Sequence, residues 1–291
     1  MADYPSRGAT GHPVSAMRRR AKVRSILPVA LFFLMAGCTA AAAPEPARHP
    51  TIVSLNPCTD AILAEVAEKD QVLALSHYSR DPQASSMDVS LARTYGTTGG
   101  TVEEVLALDP QVVVGGTYMQ PATRAAFVRL GMRVETIDIA SSVDDSIAQV
   151  RKLAALAGYP ERGEALVRRI EAAVQRGRWD GPAVPAILWQ LGGTVPGDSA
   201  LVSQLMANAG LANQTAARGM GQAEYLSLER MLSDPPRVLL VAGDERGQHH
   251  PVLQDVPGMA TVPFDPTLLY CAGPTIVRVA DRLAAIRRAI S

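Results

Sequence analysis

The stretch that decides the fold is PERGEALVRRIEAAVQRGRW, residues 160–179. Leu166, Ile170 and Val174 recur at steps of four residues, a spacing that places apolar side chains on one face of a helix. Proline is tolerated in the first turn of a helix, and Gly181-Pro182 ends the run. The stretch therefore predicts one long, stiff helix near the middle of the chain.

On either side of this helix, strand signals alternate with helix signals. In the first half, residues 51–55 and 111–114 are short β-rich runs, each followed by a Gly or Asn-Pro break. In the second half, residues 186–190 and 237–241 have the same character. This alternation predicts a parallel sheet covered by helices in each half, that is, an α/β fold of two Rossmann-like lobes. The predicted bounds are 51–158 for the N-terminal lobe, 159–180 for the connecting helix and 181–291 for the C-terminal lobe.

A short internal sequence repeat supports the prediction of two similar halves. Residues 103–110, EEVLALDP, precede the apolar run QVVV, and residues 229–236, ERMLSDPP, precede RVLLV. Thr101 and Glu104 have the spacing of a capping box at the start of the first of these helices. A cleft between two such halves is the natural place for a ligand.

The N-terminal segment is predicted to be a targeting signal and not a folded domain. Residues 18–24 are basic, and residues 26–36 form an apolar run of signal-peptide length, too short to span a bilayer comfortably. The run ends in LMAGC, residues 34–38, which resembles a bacterial lipobox. That resemblance implies cleavage after Gly37 and a lipid on Cys38, with 1–37 as the leader and 38–50 as a tether. A plain secretory signal is the alternative, and Met17 competes with Met1 as the true start.

Charge and cysteine content narrow the function further. The 291-residue chain has a formal net charge of zero, but its first 37 residues carry six basic residues and one acid. The remainder therefore carries a net charge of −5, which excludes nucleic-acid binding by phosphate neutralisation. Export would place Cys58 and Cys271 in an oxidising periplasm, where they bridge, stay free and buried, or face a ligand.

From about residue 49 to residue 290, the chain resembles the helical-backbone (class III) substrate-binding proteins of ABC importers. The stretches that carry the resemblance are IVSLNPCTD at 52–60, VEEVLALDP at 102–110, SLERMLSDPP at 227–236 and Gly273-Pro274. The family serves cobalamin, ferric siderophores and haem. SHYSRDP at 76–82 is most similar to the cobalamin branch. The resemblance implies delivery of a metal chelate to an ABC permease and its ATPase subunit.

Candidate site residues come from two arguments. Ligands bind beyond the carboxyl ends of parallel strands, and the resemblance and nearby loops add further aromatic and sulfur contacts. The predicted ligand-binding residues are Asn56, Cys58, His77, Tyr78, Tyr118, Trp189, Tyr270 and Cys271. The resemblance also implies that Glu103 and Glu229 dock the two lobes onto permease arginines. The simpler interpretation is that each complements the dipole of its helix.

The leading hypothesis is a periplasmic, lipid-anchored receptor for a metal chelate, with cobalamin ahead of a ferric siderophore or haem. It needs no cofactor of its own, although the ligand contains cobalt or iron, and no metal site in the protein is predicted. Monomer is the default expectation. An enzyme is the remote alternative, because the sequence has no nucleophile elbow, phosphate loop or zinc signature. A zinc or manganese receptor would need converging histidines, and five scattered ones do not favour it.

Overall fold

The computed structural model describes residues 49–290. The predicted leader, the lipidation site Cys38, the choice of start residue and nearly all of the tether lie outside the described residues. Within residues 49–290, no helix has both the length and the apolar character needed to cross a bilayer.

The first half contains a five-stranded parallel sheet. Its strands are β1 (Ile52–Ser54), β2 (Val72–Ser76), β3 (Thr97–Thr98), β4 (Val112–Gly116) and β5 (Arg133–Ile137). Its helices are α1 (Pro57–Val66), α2 (Val89–Ala92), α3 (Val102–Leu108), α4 (Pro121–Arg129) and α5 (Val143–Ala157), with a 3-10 turn at His77–Arg80. The spatial order is β3-β2-β1-β4-β5, so the winding direction reverses between β1 and β4. Such a reversal opens a crevice at the carboxyl ends of the two strands.

The second half repeats this plan with a four-stranded parallel sheet. It comprises β6 (Val184–Gln190), β7 (Thr194–Val195), β8 (Leu211–Asn213), β9 (Glu224–Tyr225), β10 (Val238–Ala242) and β11 (Ala260–Pro263). Its helices are α7 (Leu201–Asn208), α8 (Gln214–Ala217), α9 (Leu228–Ser233) and α10 (Thr275–Ala289). The parallel sheet has the order β11-β10-β6-β8 and reverses between β6 and β10, while β7 and β9 form a separate antiparallel pair. The predicted fold class of two parallel-sheet α/β halves is confirmed.

The connecting helix is α6 (Pro160–Arg176), which ends three residues earlier than predicted. Gly177 is its C-cap, and beyond it the chain turns so that the Trp179 amide donates to the Asn208 carbonyl at 2.9 Å. The Trp179 ring then lies under the Arg287 guanidinium, 3.9 Å from ring centroid to Cζ. Contacts with the second half therefore terminate the helix before residue 179.

The apolar stripe of α6 is buried against both halves. A Cβ at Gly163 would lie 2.5 Å from the Ala154 Cβ, so the missing side chain allows α5 and α6 to pack closely. Leu166, Val167 and Ile170 are buried in one cluster that also contains side chains of α1, α5 and α10. The inward-facing cores of the two halves are thus continuous through α6, whereas the predicted connector was a rod between separate halves. The opposite face of each sheet keeps a core of its own.

The segment 268–273, here called the strap, belongs to the second half and packs against the first half. The Cys271 amide donates to the Ser86 hydroxyl at 3.0 Å, and the Gly273 amide donates to the Ser146 hydroxyl at 2.9 Å. Gly273 has a φ of +62°, and a Cβ there would lie 2.7 Å from Cγ1 of Ile62 on α1. The strap therefore needs glycine for its backbone conformation and for its close approach to α1.

Asp60 is a fully buried carboxyl group in α1. Its Oδ2 accepts hydrogen bonds from the Ser76 amide at 2.9 Å and the Ser79 hydroxyl at 2.6 Å, which tie α1 to the end of β2 and the following 3-10 turn. Burial raises the pKa of Asp60 from 3.8 to about 8, although hydrogen bonds from Ser54, Ser79 and Ser76 oppose the rise. The protonated, neutral form consequently predominates at pH 7, and burial of the group is tolerated in that form.

The raised pKa of Asp60 predicts a pH dependence of stability. Between the unfolded pKa and about 8 the folded state holds a proton that the unfolded state has lost, so stability falls as pH rises through that window. We expect a loss on the order of a few kcal/mol between pH 4 and pH 8, and Asp60→Asn should remove it. Urea unfolding across this range measures the slope, with Asp70→Asn on the exposed surface as the control. Equal slopes for Asp60→Asn and the unaltered chain would contradict the assignment.

A second prediction separates the two demands on Gly273. Gly258 also has a positive φ, +77°, but has no neighbour within 4 Å of a would-be Cβ among the described residues. Gly258→Ala should lower the free energy of unfolding by about 1 kcal/mol, the backbone cost alone. Gly273→Ala should cost about 1–3 kcal/mol more because of the Ile62 overlap. Urea unfolding of both variants tests this, and equal costs would show that the strap does not press on α1.

Candidate ligand-binding site

A cavity of about 630 Å³ lies at the carboxyl ends of the central strands and is lined by both halves. From the first half it takes the loops after β1, β4 and β5. From the second half it takes the end of β6, the first turns of α7 and the strap. Both winding reversals contribute to it, through Asn56 after β1 and Gln190 at the end of β6. Its volume is in the usual range for a small-molecule site.

Five of the eight predicted ligand-binding residues line this cavity. They are Asn56, Cys58, Tyr118, Tyr270 and Cys271. Asn56 is the N-cap of α1, because its Oδ1 accepts from the Cys58 amide at 2.8 Å and the Thr59 amide at 3.3 Å. Its Nδ2 lies over Gly116, where a Cβ would approach it to 3.1 Å. The glycine therefore leaves room for the Asn56 amide at the cavity wall.

The other three predicted residues lie elsewhere. His77 and Tyr78 sit on the 3-10 turn after β2, with ring centroids 4.0 Å apart, and Tyr78 is 50% exposed. Trp189 is only 4% exposed, belongs to the outer core of the second half and donates Nε1–H to the Leu226 carbonyl at 3.0 Å. Alternation along β6 explains this placement, since Gln190 lines the cavity and its neighbour points to the opposite face. None of the three lines the cavity, and their predicted contact with ligand is untested.

Sequence reasoning missed several parts of the lining. Residues 137–141 are the last residue of β5 and the loop after it, so the strand-end rule that selected Asn56 and Tyr118 would have found them. Residues 199–202 and Leu205 come from the start of α7 and the loop before it, where no local motif marks them. Gln222 lies in another loop, and its Oε1 accepts from the Gly197 amide at 3.1 Å.

Cys58 and Cys271 form a disulfide, with their Cα atoms 5.0 Å apart. Of the three states left open by the sequence, the bridged one is therefore present, and both half-cystines also border the cavity. Cys58 is the second residue of α1, and Cys271 lies in the strap. The bond thus links the two halves at the ligand cavity itself.

The chemistry of the lining is almost entirely neutral. It contains apolar side chains, two phenols and several amides and hydroxyls, and Asp138 is its single formally charged residue. Lys, Arg and His are absent from the lining formed by the described residues. Burial chiefly raises the pKa of the Tyr270 phenol, with a smaller contribution from Asp81 and Asp265, so this side chain stays protonated. Residues 49–290 also contain no group of three or more His, Cys, Asp or Glu side chains positioned to hold a metal ion.

Glu103 and Glu229 occupy equivalent positions in α3 and α9. Each is the second residue of its helix, follows a Thr101 or Ser227 N-cap, and is exposed. The Glu229 backbone amide and the Ser227 side chain hold the pKa of Glu229 below its usual value. Both carboxylates are therefore presented at the N-terminal ends of matching helices, and their predicted role in docking is untested.

The predicted capping box at α3 forms only in part. The Thr101 hydroxyl accepts from the Glu104 amide at 3.2 Å, as expected. The Glu104 carboxylate, however, accepts from the Thr98 hydroxyl at 2.7 Å and the Gly99 amide at 2.6 Å. These bonds lower the pKa of Glu104 and fasten the loop after β3 to the helix. The Glu104 carboxylate binds this loop and does not complete the capping box, because the loop folds back within its reach.

Comparison with known proteins agrees with this architecture. Residues 52–264 match the model of the family described as "Periplasmic binding protein". No curated protein sequence matches the chain. Among solved structures, the periplasmic haem-binding protein RhuT from Roseiflexus sp. RS-1, in apo form, has a TM-score of 0.65 at 22% identity, covering 84% of this chain and 98% of its own.

Two structures from Vibrio cholerae are similar to the same extent. The periplasmic haem-binding protein HutB has a TM-score of 0.66 at 18% identity, covering 82% of this chain and 99% of its own. The periplasmic vitamin B12-binding protein BtuF has a TM-score of 0.65 at 16% identity, covering 83% and 97%. At these identities the likeness shows the fold alone. With the family match, it establishes that this chain belongs to the periplasmic binding protein family, as its resemblance to the helical-backbone substrate-binding proteins of ABC importers predicted.

Proposed function

We propose that this chain is the substrate-binding lipoprotein of an ABC importer, and that it captures cobalamin in the cavity between its two halves for delivery to the permease. The observation that carries the ligand assignment is the neutral, amide-bearing lining of the cavity. The receptor performs no chemical step on its cargo. The lipid anchor on Cys38 rests on the lipobox-like sequence alone.

The charge of the lining discriminates among metal chelates. Haem carries carboxylates and many ferric siderophores are anionic, and a buried anion needs a cation or several donors to offset its desolvation. The described lining offers no cation, and Asp138 would repel an anion. Cyanocobalamin has no net charge, because its cobalt(III) corrin balances its single phosphodiester, and it bears many primary amides around an apolar macrocycle. Gln149, Gln190 and Gln222 supply matching amide donors and acceptors, and the apolar lining supplies area for the ring.

Haem is the second candidate ligand, favoured by one specific observation. Tyr118 and Tyr270 both line the cavity, and a phenolate oxygen is a known axial ligand of haem iron. Tyr118 is 82% exposed and so is accessible to a bound ligand. The raised pKa of Tyr270 disfavours its phenolate, which leaves Tyr118 as the better iron ligand of the two.

A ligand panel combined with a charge insertion tests the assignment. We expect cyanocobalamin to bind at least about tenfold more tightly than haemin or a ferric siderophore in calorimetric titration. Gln190→Lys should shift the preference by about tenfold toward anionic chelates, because it adds a charged donor to the cavity. Gln175→Lys on the exposed face of α6 is the charge-matched control and should shift nothing. Tighter haemin binding, with an iron–phenolate absorption band lost in Tyr118→Phe, would replace cobalamin by haem.

We further propose that Glu103 and Glu229 dock the two halves onto the permease. Their support is the matching position and exposure of the two carboxylates, one in each half, since a two-fold permease would need one acid from each. In the alternative role, each carboxylate complements the positive N-terminal end of its own helix dipole. Altering the two carboxylates should impair transport if they dock the permease, and should leave transport intact if they serve only their helices.

Charge reversal separates these roles. The double variant Glu103→Arg/Glu229→Arg should leave ligand affinity within about twofold and lower transport into permease-containing vesicles by tenfold or more. The control is Glu171→Arg/Asp255→Arg, which reverses two exposed acids elsewhere and keeps the same net charge. Transport that survives the first double variant would assign both glutamates to helix capping alone.

A further inference from the structure

The disulfide Cys58–Cys271 joins two segments that line the cavity, one from each half of the chain. Cys58 lies in the first turn of α1, in the first half, and Cys271 lies 213 residues later, in the strap. Both line the cavity, and so do the strap residues 268–272. The bond therefore fixes the separation between a wall of the cavity from one half and a wall from the other.

The contacts around the bond hold the strap in one register. Its amides donate to the hydroxyls of Ser86 and Ser146, and both serines are buried in the first half. Arg278 of α10 donates to the Ser86 carbonyl, beside the same anchor. Gly273 packs against Ile62 of α1, one turn beyond Cys58. These weak contacts orient the strap, whereas the covalent bond sets how far it can move from α1.

The two halves also contact each other beside the cavity through a hydrogen bond. The Val143 amide at the start of α5 donates to Oε1 of Gln204 on α7 at 2.8 Å. Ser141, two residues before Val143, and Leu205, the residue after Gln204, line the cavity. A single hydrogen bond to a side chain can break and re-form as the halves move, which a disulfide cannot do. Of these two connections between the halves at the cavity, the disulfide is thus the fixed one.

We propose that the Cys58–Cys271 disulfide is a positioning element for ligand capture, which holds the cavity at its bound width before the ligand arrives. This inference rests on the proposed ligand-binding function. A cavity that is already formed spares the ligand the cost of ordering its walls, so the bond raises affinity mainly by slowing dissociation. It acts through the placement of the strap, and the ligand need not touch sulfur.

The test compares the exported protein with and without the bond. Dithiothreitol reduces it by a two-electron exchange in which the reagent closes to a cyclic disulfide and each Sγ gains a proton. Thiol titration should show two additional thiols. Cys58→Ala/Cys271→Ala provides the second route, and dithiothreitol should change nothing in that variant, which controls for other effects of the reagent. If the double variant does not fold, the reduced native protein supplies the measurement alone.

Two readouts are followed, hydrogen exchange and the kinetics of cyanocobalamin binding. Without the bond we expect exchange in residues 268–273 and in the first turn of α1 to accelerate at least tenfold, while β10 is unchanged. Cyanocobalamin should dissociate about tenfold faster, with its association rate changed less than threefold. Unchanged exchange in the strap, or an equal increase in β10, would overturn the proposal, because the bond would then have no local effect or only a global one. If the oxidised protein binds no cyanocobalamin, the ligand assignment fails, and strap exchange that depends on the bond then supports only the fixed placement of the strap. An unchanged cyanocobalamin dissociation rate without the bond would overturn the role in ligand capture.

Discussion

The burial of one helical stripe against two partners constrains the whole structure. Leu166, Val167 and Ile170 of α6 are withdrawn from water by α1 and α5 on one side of the chain and by α10 on the other. Full burial of side chains of this size stabilises a protein by about 1.5–3 kcal/mol each. Neither half can move away from α6 without exposing part of that stripe. The two sheets are therefore held by a shared core, and large rearrangements between them would be costly.

This constraint determines where a ligand can bind. In each sheet the winding reverses next to the first strand of that half, and residues at the carboxyl ends of both reversals line the same cavity. The cavity collects the loops from both reversals, so its walls come from elements far apart in sequence. A shared core, a strap seated on buried serines and a disulfide at the cavity together favour a site that exists before its ligand binds. Preformed sites of this kind are usual for small-molecule binding.

The sequence predicted what local periodicity and strand-end rules can predict. It located α6, the two parallel sheets and the cavity-lining loops after β1 and β4, because each has a strong local pattern. It missed β3, β7, β8, β9 and β11, which are two to four residues long, and β11 ends in a proline that is acceptable only at a sheet edge. It placed Trp189 in the site because nothing local revealed which face of β6 turns to the cavity. The pairing of Cys58 with Cys271 depends on how the strap crosses to α1, which no local pattern reports.

Selectivity in such a fold has to come from the side chains of the lining. Haem-binding and vitamin B12-binding proteins share this architecture with the chain at 16–22% identity, so the backbone alone does not choose a ligand. An anion moved from water into a cavity without cations loses hydration that the walls do not replace, whereas an amide exchanges its water for amide partners at little net cost. The described lining offers amides, hydroxyls and apolar area, with one carboxylate and no cation. Under the proposed function, such a lining selects neutral cargo chiefly by making anionic chelates costly to enclose, and a small number of side chains can supply this form of selectivity on a common fold.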